Sequence, residues 1–256
     1  MNLKNYFLTE LKKLKAPRRP TFLLGSNYIG GGTSKLIFLN LKTAEVRQLL
    51  SHNHPVFLKS FQLQFKEFEK IWFSAAIFEL RILPIQWLES LTEEQLVPLA
   101  SRLILWAAQA DNWALSDGLC GIYARLFEKD PKALLPTLKA WNRHPNPWLR
   151  RMSMVSLFYY SRFRKKQPSL NLVKSFVKPH FLDREYYVQK AVGWTLRECY
   201  NVYPAETIKF LQNNLHEIDA RAWSAASEKL PSNTKRIFNE KRRQFRKTNR
   251  MRKKNA

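Results

Sequence analysis

The residues whose types and spacing suit chemistry begin in DNWALSDGLCGIYARLF, residues 111–127. Trp113 and Asp117 are four residues apart, so a helix through this stretch stacks them one turn apart on a single face. An acid beside a large aromatic face is an unusual pair to leave near a surface. Two later stretches supply candidates to surround that pair. NPWLRRMSMVSLFYYSR carries Trp148, Arg150 and Arg151, and VQKAVGWTLRECY carries Trp194 and Arg197. Arginine guanidinium groups grip anions bidentately. The three stretches are expected to form one site.

Those residues need elements to hold them, and composition says which kind. The chain has 256 residues, 45% of them hydrophobic, enough to bury a sizeable core. Of seven glycines, four (Gly25, Gly30, Gly31, Gly32) lie in one segment, leaving almost none for the turns of an all-β protein. Most prolines fall between apolar-periodic segments, at Pro55, Pro84, Pro131, Pro145, Pro147, Pro168, Pro204 and Pro231, where they stop one helix and start the next. Pro98 and Pro136 are expected in first turns. From Thr43 onward the sequence is a succession of helix-length segments, among them FEKIWFSAAIFELRIL, PWLRRMSMVSLFYYSRF and REYYVQKAVGWTLRECYNVY. A pair of these is too small to bury its own apolar stripe, so the pairs must stack. The expected fold is all-α, an α-solenoid of HEAT-like helical repeats whose concave basic groove suits a rod-shaped polyanion. A compact helical bundle is the competing architecture.

Over MNLKNYFLTELKKLKA a first helix packs Leu3, Phe7, Leu11 and Leu14 inward. Glu10, with the absence of arginine and serine there, argues against a transit peptide. Residues 16–42 are the one irregular region. PRRPTFLLGSNYIGGGTSK has glycines and a following lysine, as phosphate-binding loops do, but Lys35 lacks the preceding glycine and the following Ser or Thr. The segment reads as a flexible connector. Residues 1–234 are expected to form a single repeat domain and residues 235–256 a flexible basic tail.

Charge points to the partner. Lys and Arg number 44 against 20 Asp and Glu, a net charge of +24, which predicts a polyanion, and nucleic acid is the commonest one. From Lys235 to Lys254 there are eleven basic residues and one acid; without them 33 basic residues still face 19 acidic ones, so the body is basic by itself. The tail cations are expected to make salt-sensitive, nonspecific phosphate contacts. Arg18, Arg19, Lys35 and Tyr28 place the irregular segment near DNA. Cys120 and Cys199 are far apart and read as buried small hydrophobes, and the five histidines are scattered with no metal-binding spacing. No metal and no cofactor is expected. No run reaches the roughly eighteen apolar residues of a membrane span, and no signal-peptide core is present. The reading is a soluble, cytoplasmic protein without a membrane partner.

In their order and spacing, DNWALSDGLC, NPWLRRMSMVSL and VQKAVGWTLRE resemble the AlkD family of DNA alkylation repair glycosylases, over residues 43–230. TAEVRQLL is similar to the family's early helix, while the glycine-rich loop and the basic tail depart from it. The resemblance implies a HEAT-repeat fold with a concave basic groove. It also implies an enzyme that removes N3- and N7-alkylated purines from duplex DNA without a deep base-binding pocket. By the same resemblance Trp113 and Trp194 are the aromatic walls, Asp117 the essential carboxylate and Arg151 a phosphate-binding arginine. Arg150, Arg197 and Tyr28 join them as candidate DNA contacts. The expected partner is double-stranded DNA with alkylated bases, bound by a monomer in a bacterial cytoplasm near the nucleoid.

Each of these residues has a plainer reading. Trp113 and Trp194 can be core residues among eight tryptophans, and Trp148 reads as core. Asp117, taken without the resemblance, is a solvated acid or a partner of Arg125 or Arg151. Arg150 and Arg197 divide evenly between groove contacts and surface charge. At the level of function, the alternatives are a noncatalytic binder of damaged or branched DNA and a helical-repeat module for RNA or protein.

Overall fold

The computed structural model describes residues 2–31, 33–51 and 54–254, with side chains through residue 248. Gly32 of the glycine-rich segment, His52, and the last two residues of the basic tail lie outside the described residues. Helices begin where a short polar side chain meets the otherwise unpartnered first N–H groups. Asn2, Asp130, Ser169 and Asp219 each accept such a bond at a helix start. The chain forms two compact units, Met1–Ile122 and Tyr123–Ala256.

The first unit contains α1 (Leu3–Lys13), α2 (Gly25–Tyr28), α3 (Thr43–Gln48), α4 (Phe61–Ser74), α5 (Phe78–Glu89), α6 (Glu93–Leu96), α7 (Ala100–Trp106) and the start of α8 (Trp113–Lys129). Leu3, Phe7 and Leu11 recur every four residues, so α1 buries one stripe, and it packs on α4 and α5. The core is rich in stacked rings. Trp72 lies on Trp106 at 5.1 Å, Phe65 on Trp106 at 5.8 Å, and Phe68 on Trp87 at 4.6 Å. Each such pair stabilises by about 0.5–1.5 kcal/mol beyond its buried area.

Three expectations need correction in this unit. FEKIWFSAAIFELRIL does not form one helix, because Ala75–Ile77 is extended: Ile37 N–H donates to the Ala76 carbonyl at 2.9 Å, and Phe78 N–H to the Ile37 carbonyl at 2.9 Å. Residues 16–42 are not a loose connector. Glu79 accepts from the N–H groups of Leu39 (3.0 Å) and Leu41 (3.3 Å), and Asp111 accepts from Ser34 Oγ (2.9 Å) and Lys35 N–H (2.9 Å). Two acids of the unit thus satisfy backbone donors that a sequence leaves unassigned. Pro84 lies inside α5 instead of ending it, on a helix buried on nearly every side.

The second unit contains the rest of α8, then α9 (Pro131–Asn142), α10 (Pro147–Phe158), α11 (Leu170–Val177), α12 (Tyr186–Val202), α13 (Pro204–Asn213), α14 (Ala220–Ala226) and α15 (Ser232–Lys254). α12 packs against both α10 and α14, while α9 covers α10, and α11 and α13 cover α12. A row of helices backed by their sequence neighbours is the stacking of HEAT-like hairpins. Gly193 permits it: a Cβ there would overlap the backbone carbonyl oxygen of Ala222. Pro136 lies within α9, beyond its first turn.

The basic tail is also corrected: through Lys254 it is α15, not a loose chain. Phe238 and Arg242 are buried, and the Trp223 indole N–H donates to Asn239 Oδ1 at 2.7 Å. Arg242 lies over the Trp223 ring at 4.7 Å and donates to the carbonyls of Leu215 and Ile218. Burial, reinforced by the neighbouring Arg246 charge, pushes its pKa down to about 10, which leaves it cationic at neutral pH. No helix of the described residues is long and apolar enough to cross a membrane.

Candidate active site and nucleic-acid interface

α8 starts at Trp113 because the residue before it is built to cap. Asn112 is fully buried; its Oδ1 accepts from Leu115 N–H at 3.0 Å and its carbonyl from Ser116 N–H at 3.1 Å. Its amide donates to Asp111 at 3.0 Å, the same carboxylate that fastens Ser34 and Lys35. This junction carries residues 16–42 to the helix start, and Tyr28 with them. Trp113 Nε1–H donates to the Tyr28 carbonyl at 2.8 Å, and the two rings meet edge to face with centroids 5.5 Å apart. Tyr28 is exposed and Trp113 half-buried; Asp117, one turn along the same face of α8, is 7% exposed. Gly118 beside it lets α8 close on Ile85 of α5, where a Cβ would come within 2.8 Å of Cγ2.

Within the second unit Trp194, on α12, has a parallel arrangement. Its Nε1–H donates to the Tyr159 carbonyl at 2.9 Å, and its ring lies 6.2 Å from the Tyr159 ring and 5.2 Å from that of Tyr160. Tyr159 ends α10 at φ 51°, a region disfavoured for a bulky side chain. Its N–H donates to the Val155 carbonyl at 2.6 Å, so the strained residue is held from both sides. Arg197 places its guanidinium carbon 5.4 Å from the Trp194 ring centroid and donates to Glu228 at 2.9 Å, with Glu198 3.6 Å away.

The two adjacent arginines of α10 are used differently. Arg150 donates from Nε and Nη2 to the two oxygens of Asp183 (2.8 and 3.3 Å), and from Nη1 to the carbonyls of His144 (2.9 Å) and Pro145 (2.7 Å). Its donors serve the protein, so it clamps a corner and is not an open groove cation. Burial pushes the Asp183 carboxyl up, but hydrogen bonds from Glu185 N–H and Arg150 outweigh it and hold the group below the usual range. The adjacent His180 is pushed down by burial, with Asp183 opposing in part. Arg151 is 3% exposed and donates from Nη1 to the Tyr187 carbonyl at 2.9 Å, and the Tyr187 ring lies 4.8 Å from Trp148.

Exposure sorts the tryptophans. Trp72, Trp87, Trp106, Trp141 and Trp223 are buried, whereas Trp113, Trp148 and Trp194 are only half-buried. These three are the ones singled out by motif, so Trp148 is not the core residue it was expected to be. Tyr159 and Tyr160 have no role that the sequence reveals, although the aromatic doublet stands in YYSR, residues 159–162. Only the strained carbonyl, invisible in sequence, gives the doublet its role.

This helical architecture recurs in solved structures. A predicted DNA alkylation repair enzyme from Enterococcus faecalis matches with a TM-score of 0.62 at 18% identity, covering 81% of this chain and 93% of that one. AlkD2 from Streptococcus mutans matches with 0.57 at 15% identity, covering 90% and 99%. The protein smu.31 from Streptococcus mutans UA159 matches with 0.53 at 18% identity, covering 73% and 92%. Comparison with curated proteins finds no match. At these identities the likeness speaks for the fold alone. The family comes from the sequence model for DNA alkylation repair enzymes, which matches residues 11–230 and so takes in α8, α10 and α12 with their tryptophans; the chain belongs to that family.

Proposed function

We propose that the protein is a DNA glycosylase that hydrolyses the N-glycosidic bond of N3- and N7-alkylated purines in duplex DNA. The observation that carries the reading is the half-exposed Trp113 indole, locked by Tyr28, with Asp117 one turn along the same helix. Alkylation at N3 or N7 makes the base cationic and already a good leaving group. The bond from C1′ to the base nitrogen breaks with its electron pair going to the base. The sugar cation that remains is stabilised by the Asp117 carboxylate, which also orients the water that adds to C1′ and takes its proton. The indole face attracts the cationic base by about 0.5–2 kcal/mol.

Tyr28 in this reading contacts DNA beside Trp113. Arg151 in this reading contacts the backbone phosphate. Arg150 and Arg197, committed to Asp183 and Glu228, position the second unit's residues instead. On α15 the exposed Arg236, Arg243 and Lys247 follow one another along one helix face and add nonspecific, salt-sensitive affinity. The test is release of free base from a duplex carrying one N7-methylguanine. The reading expects release well above spontaneous depurination. Tight binding with no release would contradict it and favour a noncatalytic DNA binder.

A further inference from the structure

The loop joining α10 to α11 carries cations and aromatic rings that the glycosylase reading leaves unused. In RFRKK, residues 162–166, four of five residues are basic and the fifth is Phe163, which is 58% exposed. The loop is firmly built. Glu198 Oε2 accepts from Ser161 N–H (2.9 Å) and Oγ–H (2.7 Å), and the Gln167 amide donates to the carbonyls of Ser161 and Arg164 (both 3.1 Å). Glu128 accepts from the N–H groups of Lys165 (2.5 Å) and Lys166 (2.8 Å) and pairs with Arg164 at 3.3 Å.

These acids hold the backbone, Arg164 and Arg197, and leave the other cations outward. Arg162, Lys165 and Lys166 are exposed, and among the described residues no carboxylate lies within ion-pair distance of them. The Arg162 guanidinium lies over the rings of Phe163 (4.7 Å) and Tyr160 (5.4 Å), and Tyr160 continues to Trp194 at 5.2 Å. Beside this stack is an open cavity of about 670 Å³, with Gln167, Arg197, Asn201 and Lys229 in its wall together with Glu198 and Glu228, the two acids that flank Arg197.

An exposed phenylalanine among unpaired cations fits a polyanion that also presents flat apolar faces. Stacked duplex presents phosphates but hides its base faces; an unpaired base presents both. We infer that the 160–167 loop is a second DNA contact that stacks an unpaired base on Phe163 and Arg162 while Lys165 and Lys166 hold the flanking phosphates. The inference rests on the DNA-repair reading in taking DNA as the partner. It adds a preference, within duplex DNA, for a nucleotide out of the stack.

The test uses the full-length chain and fluorescence anisotropy on two probes, a fully paired duplex and the same duplex with a single-nucleotide bulge. A second version of the bulged probe carries 2-aminopurine as the unpaired base. Phe163→Ala is expected to weaken binding of the bulged duplex about tenfold, the range of one lost base stack, and to leave the paired duplex unchanged. Quenching of 2-aminopurine by the parent should diminish in Phe163→Ala and also in Phe163→Leu, which keeps the bulk but not the aromatic face. Equal losses on both probes, or no quenching by the parent, overturns the inference while leaving the glycosylase reading intact. Failure of the parent to bind either duplex overturns both.

Discussion

Trp113 in the first unit and Trp194 in the second are held by the same device, and they differ in whether a cation lies over the ring. Each indole N–H donates to the carbonyl of a tyrosine, Tyr28 at 2.8 Å and Tyr159 at 2.9 Å, and each ring packs on that tyrosine's ring. Each also belongs to a helix that a glycine, Gly118 or Gly193, lets approach its neighbour. Over Trp194, however, lies the Arg197 guanidinium. No Lys or Arg of the described residues lies over Trp113, and its same-face neighbour is the carboxylate of Asp117. A cation already over a ring disfavours a second one beside it, and a ring without one is open to it. Within the proposed function, Trp113 is therefore assigned as the receptor for a cationic group and Trp194 as part of the scaffold.

The comparison breaks most visibly at its acid. Asp117→Asn keeps the shape and removes the charge, and is expected to lower single-turnover base release about 100- to 1000-fold, as loss of one preorganised electrostatic group does. DNA affinity, read by anisotropy, should change little. Next come the rings: Trp113→Ala should lower release up to about 30-fold, the equivalent of a cation–π contact worth about 2 kcal/mol. Trp194→Ala should cost less on the cationic substrate, and an equal or larger loss there would reverse the assignment.

The glycines give a smaller effect, read on stability. Gly193→Ala meets a backbone carbonyl that cannot move aside and should destabilise by about 1–3 kcal/mol in denaturant unfolding. Gly118→Ala meets the Ile85 side chain, which can shift, and should cost less. Smallest is the pH response of the Arg150–Asp183–His180 corner. Because the His180 pKa is lowered below its ordinary 6.5, the folded chain binds fewer protons there than the unfolded one. Its stability is thus fully present above 6.5 and declines as pH falls below that value. Asp183, also lowered, loses its contribution only below its ordinary 3.8. His180→Asn should flatten the melting-temperature profile between pH 7 and 5 and leave the lower window in place.

Much of this was legible in the sequence where a single helix decides it. The spacing of Trp113 and Asp117, the stripe of Leu3, Phe7 and Leu11, and the helical character of α8, α10 and α12 all follow from local periodicity. What was not legible depends on residues distant in the chain. The break between α4 and α5 has no proline or glycine to mark it and exists because Ile37 supplies the hydrogen bonds. Residues 16–42 look loose until Glu79 and Asp111 are seen to hold their N–H groups. α15 reads as a solvated tail because its cations outnumber its apolar residues; Phe238, and Arg242 with carbonyls beneath its guanidinium, anchor it. Arg150 and Arg151 are indistinguishable as neighbours in sequence, and only the fold assigns Asp183 to the first of them.

The most direct test of a cation receptor at Trp113 and Asp117 is charge discrimination. Base release would be measured at equal enzyme excess from two duplexes identical but for one position, cationic N7-methylguanine in one and neutral hypoxanthine in the other. The account predicts release of the methylated base, and release of hypoxanthine no faster than in the absence of protein. Comparable release of both would show that positive charge on the base is not what this site recognises.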